Sequence, residues 1–108
     1  KAYSKEELQE VFDEDFQLAW DNANSLIKER LTNTDFQLLD IDRKMKIISI
    51  FCNMCFQLGR AGVGKFRKMF ENIAKLNFKG ASLEMLDSRW AKQTPSRAKY
   101  LSDKMSQV

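Results

Sequence analysis

The longest stretch of this chain without a charged residue runs from Ile47 to Gly59, and it decides where the core must lie. This stretch is apolar on nearly all sides of a helix, which is typical of a buried central helix. We predict that helix over residues 43–58. The 13 charge-free residues are too few to cross a bilayer, which takes about 20, so we expect no membrane span. Gly59 follows where a left-handed residue can end the helix.

A longer helix is predicted ahead of this one, over residues 4–31. Ser4 and Glu7 have the spacing of a capping box, in which each side chain accepts a hydrogen bond from the other residue's backbone N–H. Apolar residues then recur at helical spacing for about seven turns, with carboxylates on the outer face. They are Leu8, Val11, Phe12, Phe16, Ala19, Ala23, Leu26, Ile27 and Leu31. We expect so long a helix to run along the edge of the domain or to join it to another part. The pattern breaks at residues 32–35.

Three shorter helices are predicted after Gly59. Their expected ranges are 66–76, 81–90 and 95–106, with turns at 62–64 and 77–80. Their expected inward residues are Phe66, Met69, Phe70, Ile73 and Ala74, then Leu83, Met85 or Leu86 and Trp90, then Ala98, Leu101 and Met105. Thr94 is placed to cap the last helix, and Pro95 suits its first position because proline has no N–H to lose. Asp40 or Asp42 caps the central helix.

No segment alternates apolar and polar residues as a strand does, so the predicted fold class is all-α. A chain of 108 residues can bury one modest core. We therefore expect a single helical domain over residues 1–108, with a long helix at 1–31 and a helical core at 42–108. Because the first residue is Lys1 rather than methionine, we expect the chain to be processed, trimmed or part of something longer.

The sequence contains no histidine, and its charge is unevenly divided. The lack of histidine excludes Ser-His-Asp and Cys-His nucleophile schemes and every zinc site that uses histidine. Residues 1–42 hold 4 Lys and Arg against 11 Asp and Glu, whereas residues 43–108 hold 14 against 4. A basic body favours an anionic partner such as nucleic acid, a membrane surface or bacterial cell wall; the alternative is an uneven solvated surface.

Two groups of residues look reactive but are better explained structurally. Cys52 and Cys55 lie inside the central helix, without the helix N-terminus that stabilises a thiolate or the further ligands that complete a zinc site. We interpret them as free thiols in the core. Asp13, Glu14 and Asp15 are consecutive, so they point in different directions on a helix, which favours a solvated face over an acid–base pair. We predict no metal site, no cofactor and no catalytic residue in this chain.

One predicted helix is basic, with Lys65, Arg67, Lys68, Lys75 and Lys79. A helix that reads DNA needs a tight turn of fixed geometry before it, and polar side chains that reach base edges. Here the turn is rich in glycine, and the helix supplies mainly charge. Nucleic-acid binding is therefore the least favoured hypothesis for an anionic partner.

Two segments carry a resemblance to a known family. The first is Asn53-Met54-Cys55-Phe56-Gln57-Leu58-Gly59, continuing through Gly62, Val63 and Phe66, and the second is Ser88-Arg89-Trp90, followed by Gln93-Thr94-Pro95 and Arg97-Ala98. Both resemble the C-terminal lobe of the T-even phage lysozymes, the phage-type muramidases. The first helix resembles the one that joins that family's two lobes. The similarity covers nearly the whole chain, which is several residues longer than the family between residues 31 and 42.

This resemblance implies a two-lobed enzyme with its saccharide cleft between the lobes. The family's general-acid glutamate and its aspartate sit in the N-terminal lobe, on motifs of the form E-G-x-x-L, Y-x-D and T-x-G-x-G-H. No such motif occurs in this chain. Glycoside hydrolysis needs two carboxyl groups that flank the scissile bond, so we expect the chain not to be catalytic by itself.

The resemblance also implies roles for four residues. Phe56 resembles the phenylalanine that lines the cleft and binds substrate. Arg97 resembles the arginine that pairs with the catalytic glutamate across the cleft, where it would hold its partner through bidentate hydrogen bonds. Gln57 and Trp90 resemble a buried structural pair that fixes the central helix against the next one.

Two positions that contact saccharide in the family differ here. Met69 stands in place of a serine, and Glu84 stands in place of an asparagine. A methionine hydrogen-bonds a sugar hydroxyl poorly, and a carboxylate repels an anionic cell wall. Three functions therefore stay open: the C-terminal lobe of a peptidoglycan-cleaving muramidase, a stand-alone non-catalytic phage virion or interaction protein built on the same lobe, and a basic nucleic-acid-binding domain.

The expected partner lies on the face that carries Phe56 and Arg97. It is the missing N-terminal lobe or another protein, with peptidoglycan as the substrate of a complete enzyme. The resemblance further implies synthesis in the host cytoplasm and action in the virion, the periplasm or the cell wall.

Overall fold

A computed structural model of the chain describes the backbone of residues 5–108 and the side chains from Phe16 onward. Within this range the chain forms helices and no strand, so the predicted all-α class is confirmed. The α-helices are α1 (Lys5–Leu31), α2 (Ile41–Gly64), α3 (Arg67–Ala74), α4 (Phe78–Leu86), α5 (Arg89–Gln93) and α6 (Pro95–Ser106). The predicted capping box of Ser4 and Glu7, the apolar positions before Phe16 and the carboxylates at 13–15 lie outside the described residues.

The centre of the fold is α2, as its charge-free sequence predicts. Its inward residues Ile47, Phe51 and Met54 are completely buried, and α1 packs along its length. Asp40 begins the helix, because its Oδ1 accepts a hydrogen bond from the Arg43 backbone N–H at 2.9 Å. This selects Asp40 over Asp42 as the cap. A short 3-10 helix, Asp35–Leu38, precedes it and was not predicted; it buries Phe36 in the core.

Gly59 breaks α2 without ending it. Its backbone has φ +72° and ψ 170°, a conformation that is nearly restricted to glycine. The positive φ predicted for this position is confirmed, but the helix resumes and runs to Gly64, so the predicted turn at residues 62–64 is wrong. By length and mean hydropathy α2 would be able to cross a membrane. Its apolar residues Ile47, Phe51 and Met54 are buried in the core, whereas Ile41, Met45 and Phe56 are exposed.

The predicted helix over residues 81–90 is two helices, α4 and α5. The break has a local cause: the Ser88 hydroxyl donates a hydrogen bond to the Met85 carbonyl at 2.7 Å and accepts one from the Ala91 N–H at 3.1 Å. Ser88 therefore ends one helix and caps the next. Leu83 is 64% exposed, so its predicted burial is wrong. Of the two alternatives Met85 and Leu86, the structure buries Met85 completely and leaves Leu86 42% exposed.

Two further details of the predicted turns change. Asn77 caps α4, because its Oδ1 accepts from the Gly80 N–H at 3.2 Å, so the helix begins at Phe78 instead of after the predicted turn. Thr94 makes no side-chain cap: its hydroxyl donates to the Trp90 carbonyl at 3.1 Å. Pro95 does occupy the first turn of α6. The predicted inward residues of α6, Ala98, Leu101 and Met105, are completely buried.

Candidate functional site

Helices α1, α2 and α6 enclose a groove of about 530 Å³, which we call the Phe56 groove. It is lined by Phe16, Trp20, Ser49, Cys52, Asn53, Phe56, Gln57 and Arg97. The two residues to which the resemblance assigns cleft roles, Phe56 and Arg97, come from different helices and meet in this groove. The sequence prediction therefore placed on one face two residues that lie 41 positions apart in the chain.

Aromatic rings form much of the groove wall. Phe16 and Trp20 lie one turn apart on α1 and stack with their ring centroids 5.8 Å apart. Phe16 and Phe56 are each 43% exposed, although large apolar side chains are usually buried. Exposed apolar surface gathered in a concave site marks a place for a ligand or a partner.

Arg97 supplies the charge of the groove. It lies in the first turns of α6, is exposed, and forms no ion pair with any residue from Phe16 onward. The guanidinium presents five N–H donors in a rigid fork, which matches a carboxylate in a bidentate arrangement. The Arg97 side chain is therefore available to an anionic group that enters the groove from outside the described chain.

Gln57 links this groove to the core. The Trp90 indole N–H donates to Gln57 Oε1 at 3.0 Å, and the buried Trp90 ring packs against Phe66 in a T-shaped pair. Gln57 itself is exposed and also lines the Phe56 groove. The resemblance implied that both members of this pair are buried; the structure buries Trp90 and leaves Gln57 at the surface.

A second groove, of about 520 Å³, lies between α2, α3, α4 and α5; we call it the basic groove. Its lining includes the apolar side chains Leu58, Phe66, Met69 and Trp90, the cations Lys65, Arg67, Lys68 and Arg89, and the carboxylates Glu84 and Asp87. Met69 and Glu84, the two positions at which the resemblance implies a difference from the family, both line it. Met69 is completely buried and Glu84 is half-buried. Lys75 and Lys79, also noted in the sequence, do not line this groove.

The cysteines are chemically quiet in this fold. Cys52 and Cys55 are free and buried. Burial raises the pKa of the Cys52 thiol. Burial, together with the neighbouring Cys52 and against the lowering effect of Arg60, raises the pKa of Cys55 to about 11. Thiols with raised pKa values are poor nucleophiles and poor metal ligands at neutral pH.

The described residues of the Phe56 groove are binding groups without a carboxylate. No described Asp or Glu lines the Phe56 groove, and no cluster of three or more potential metal ligands occurs among the residues described. Asp13, Glu14 and Asp15, considered as an acid–base pair in the sequence, lie outside the described side chains. The arrangement can bind and orient a ligand, whereas glycoside hydrolysis needs two carboxyl groups at the bond.

Sequence reasoning missed the aromatic wall that α1 contributes. The predicted apolar pattern of α1 includes Phe16 but not Trp20. The signal that could have found them is their spacing of four residues, which places two aromatic rings on one face of a helix. Asn53 and Ser49, the polar groups of the α2 wall, were not predicted as site residues either.

Comparison with known proteins supports the resemblance seen in the sequence. The chain is 33% identical over 95 residues to probable T4-type lysozyme 2 of Dictyostelium discoideum. The matched region covers 88% of this chain and 52% of that protein. The chain is also 33% identical over 92 residues to probable T4-type lysozyme 1 of the same organism, covering 85% of this chain and 50% of that protein. No protein-family profile matches.

These similarities confirm that the chain resembles one part of a T4-type lysozyme. The chain spans about half the length of the curated relatives it matches. Both of these relatives come from Dictyostelium discoideum, so a bacteriophage origin for this chain stays a prediction.

Proposed function

We propose that this chain supplies the C-terminal lobe of a peptidoglycan-cleaving muramidase and is not catalytic by itself. In this proposal the Phe56 groove is one wall of the glycan cleft. The opposite wall, with the general acid and the second carboxylate, belongs to an N-terminal lobe outside these 108 residues. The site of action is then the bacterial cell wall.

The observation that carries the proposal is the meeting of Phe56 and Arg97 in one open groove beside the Phe16–Trp20 stack. An aromatic wall supplies apolar contact area for a sugar ring, and a few polar groups such as Asn53 and Gln57 fix its orientation. Arg97, exposed and without an ion pair among the described residues, fits the role of a bidentate partner for a carboxylate on the opposite wall. Similarity to T4-type lysozymes along 88% of the chain supports the same assignment.

The test is a cell-wall clearing assay with two proteins. One is the present chain alone. The other is a chimera in which the unmatched half of a Dictyostelium T4-type lysozyme precedes α1 of this chain. We expect no loss of turbidity above buffer from the chain alone, because none of the described residues that line the Phe56 groove is a carboxylate. We expect clearing by the chimera.

Two variants of the chimera connect its activity to the groove. Arg97→Ala removes the predicted ion pair, and Lys99→Ala removes an exposed cation of the same helix that does not line the groove. We expect the first to lose most of the activity and the second to keep it. Clearing by the unmodified chain, or a folded chimera whose activity is indifferent to Arg97, would contradict the proposal.

A non-catalytic interaction protein built on the same lobe is the second candidate. Met69 and Glu84 favour it, since both replace groups that contact saccharide in the resembled family and both line the basic groove. In this case the partner on the Phe56 groove is another protein. A folded but inactive chimera that nevertheless binds a second protein through Phe56 and Arg97 would select this candidate.

A further inference from the structure

The basic groove combines an apolar floor with a charged rim. Leu58 and Phe66 are partly buried and pack against the core, and Met69 and Trp90 are buried beneath them. Lys65, Arg67, Lys68 and Arg89 surround this floor and are all exposed. None of the residues involved lines the Phe56 groove. Met69 and Glu84 do stand at the two positions that contact saccharide in the resembled family, so the glycan is a competing ligand for this groove.

The four rim cations have no anionic partner within the described chain. Ion pairs there involve other residues: Arg30 and Arg60 pair with Glu29, and Lys99 pairs with Asp103. Glu84 and Asp87 also line the groove but contact none of the rim cations within ion-pair distance. The rim is therefore an excess of unpaired positive charge around an apolar surface, which selects for a partner with the complementary pattern.

We propose that the basic groove binds an acidic amphipathic peptide segment of another protein. A cavity of about 520 Å³ has room for bulky apolar side chains from one face of such a segment. Aspartate and glutamate on its flanks would pair with the rim cations, as in the recognition of acidic motifs by basic clusters. Pairing of this kind steers association and fixes orientation more than it adds affinity.

Two other anionic ligands match the groove less well. Single-stranded nucleic acid binds by stacking its bases on open aromatic faces, but Trp90 is buried and packs edge-on against Phe66, with centroids 6.1 Å apart. A small inorganic anion would leave the apolar floor uncovered. Only a ligand with apolar and acidic groups together uses both parts of the site.

The carboxylate of Glu84 restricts where the acidic side chains of a bound peptide can lie in the basic groove. Glu84 is half-buried in the wall, so its charge is less screened by solvent than that of an exposed residue. It repels acidic side chains of the peptide from its own side of the groove, so these side chains bind beside the rim cations. Neutralising Glu84 should therefore strengthen binding, which is the opposite of what the loss of a structural contact would do.

The test is fluorescence anisotropy with a labelled, end-capped 12-residue peptide of Asp, Glu, Leu and Phe in amphipathic helical order. The same peptide with Asn and Gln in place of its acids is the uncharged control. We expect the full chain to bind the acidic peptide, more weakly as salt rises. Lys68→Glu should weaken binding about five- to tenfold, whereas Glu84→Gln should strengthen it about two- to fourfold.

Lys75→Glu is the matched control, because it changes the net charge by the same amount at an exposed lysine close in the chain that does not line the groove. Equal effects of Lys68→Glu and Lys75→Glu would show that binding depends only on the net charge of the chain, and would overturn the proposal. Equal affinity for the acidic and the uncharged peptide would overturn it as well. Circular dichroism checks that each variant is folded.

Two competing occupants give distinct results. Displacement of the acidic peptide by soluble peptidoglycan fragments would assign the groove to the glycan instead. Self-association of the chain in sedimentation velocity that Lys68→Glu abolishes would assign it to a second copy. Either result overturns the proposal, and neither depends on whether the chimera described above clears cell walls.

Discussion

The two sides of α2 have opposite characters. On the inner side, Phe51 and Met54 are completely buried in the core, whereas on the outer side Phe56 is 43% exposed in the groove it shares with Arg97. The side chains on both sides are large and apolar, so composition does not separate them. Their surroundings do: the inner side is covered by other helices, and the outer side faces an open groove. Substitutions on the inner side should change stability, and those on the outer side should change binding.

The largest expected loss of stability is for Trp90→Ala. Trp90 is buried, packs against Phe66 and donates to Gln57, so its removal leaves a cavity and loses that hydrogen bond. We expect a loss of about 3–5 kcal/mol in the free energy of unfolding. The reference series for cavity-forming substitutions was measured in a T-even lysozyme, so this magnitude is taken over from a relative.

Trp20→Ala is the matched control for Trp90→Ala in urea denaturation. Trp20 is only partly buried and lines the Phe56 groove, so its truncation should cost clearly less. Equal losses for the two tryptophans would break the distinction between core and groove.

Gly59→Ala should give the next largest effect. The backbone at Gly59 has φ +72°, and a Cβ added there would meet no atom within 4 Å, so the cost is purely conformational. We expect a loss of about 1–3 kcal/mol. Gly64→Ala is the comparison, since it is helical and its Cβ would make only ordinary contacts, with Arg30 at 3.5 Å and Leu26 at 3.7 Å. A neutral Gly59→Ala would mean that α2 has no break there.

The break between α4 and α5 depends on Ser88. Ser88→Ala removes the side-chain cap of α5 and should destabilise the chain by about 1 kcal/mol. Ser96→Ala is the control, because Ser96 is exposed in the first turn of α6 and makes no side-chain hydrogen bond among the described residues. Thermal unfolding of both variants measures the difference; equal melting temperatures would show that the cap contributes nothing.

The parts of the fold that follow from a run of residues were predictable. The charge-free stretch gives α2, and helical spacing gives α1 and α6. The boundaries that were wrong depend on single hydrogen bonds: Ser88 divides a predicted helix, and Asn77 begins one early. Periodicity does not contain that information, because serine and asparagine also occur within helices and turns without capping.

The candidate site was predictable only in part, and for a similar reason. The resemblance placed Phe56 and Arg97 on one face, but the Phe16–Trp20 wall depends on how α1 packs beside α2. The basic groove was seen only as a basic helix, since its apolar floor and Arg89 come from other helices. Pairings between distant elements are set by packing, which the pattern of one element does not specify.

A smaller effect is expected at high pH. Burial raises the pKa of Cys55 to about 11 from 9.0, so the unfolded chain loses this proton before the folded chain does. The contribution of the neutral thiol to stability is complete below pH 9 and declines as the pH rises from 9 to about 11. The urea midpoint should therefore decrease more between pH 8 and pH 10.5 for the wild type than for Cys55→Ala. Equal falls would show that the thiol is not shielded.

The smallest effect on stability, and the most direct test of the account, is Arg97→Ala in the lysozyme chimera. Arg97 is exposed and has no ion pair among the described residues, so we expect the free energy of unfolding, measured by urea denaturation, to stay within about 0.5 kcal/mol of the parent. We expect cell-wall clearing by the same protein to fall at least about tenfold, as for loss of a charged group at a reacting site. Full clearing by the variant, or a loss of activity that matches a loss of stability, would contradict the assignment of function to the outer side of α2.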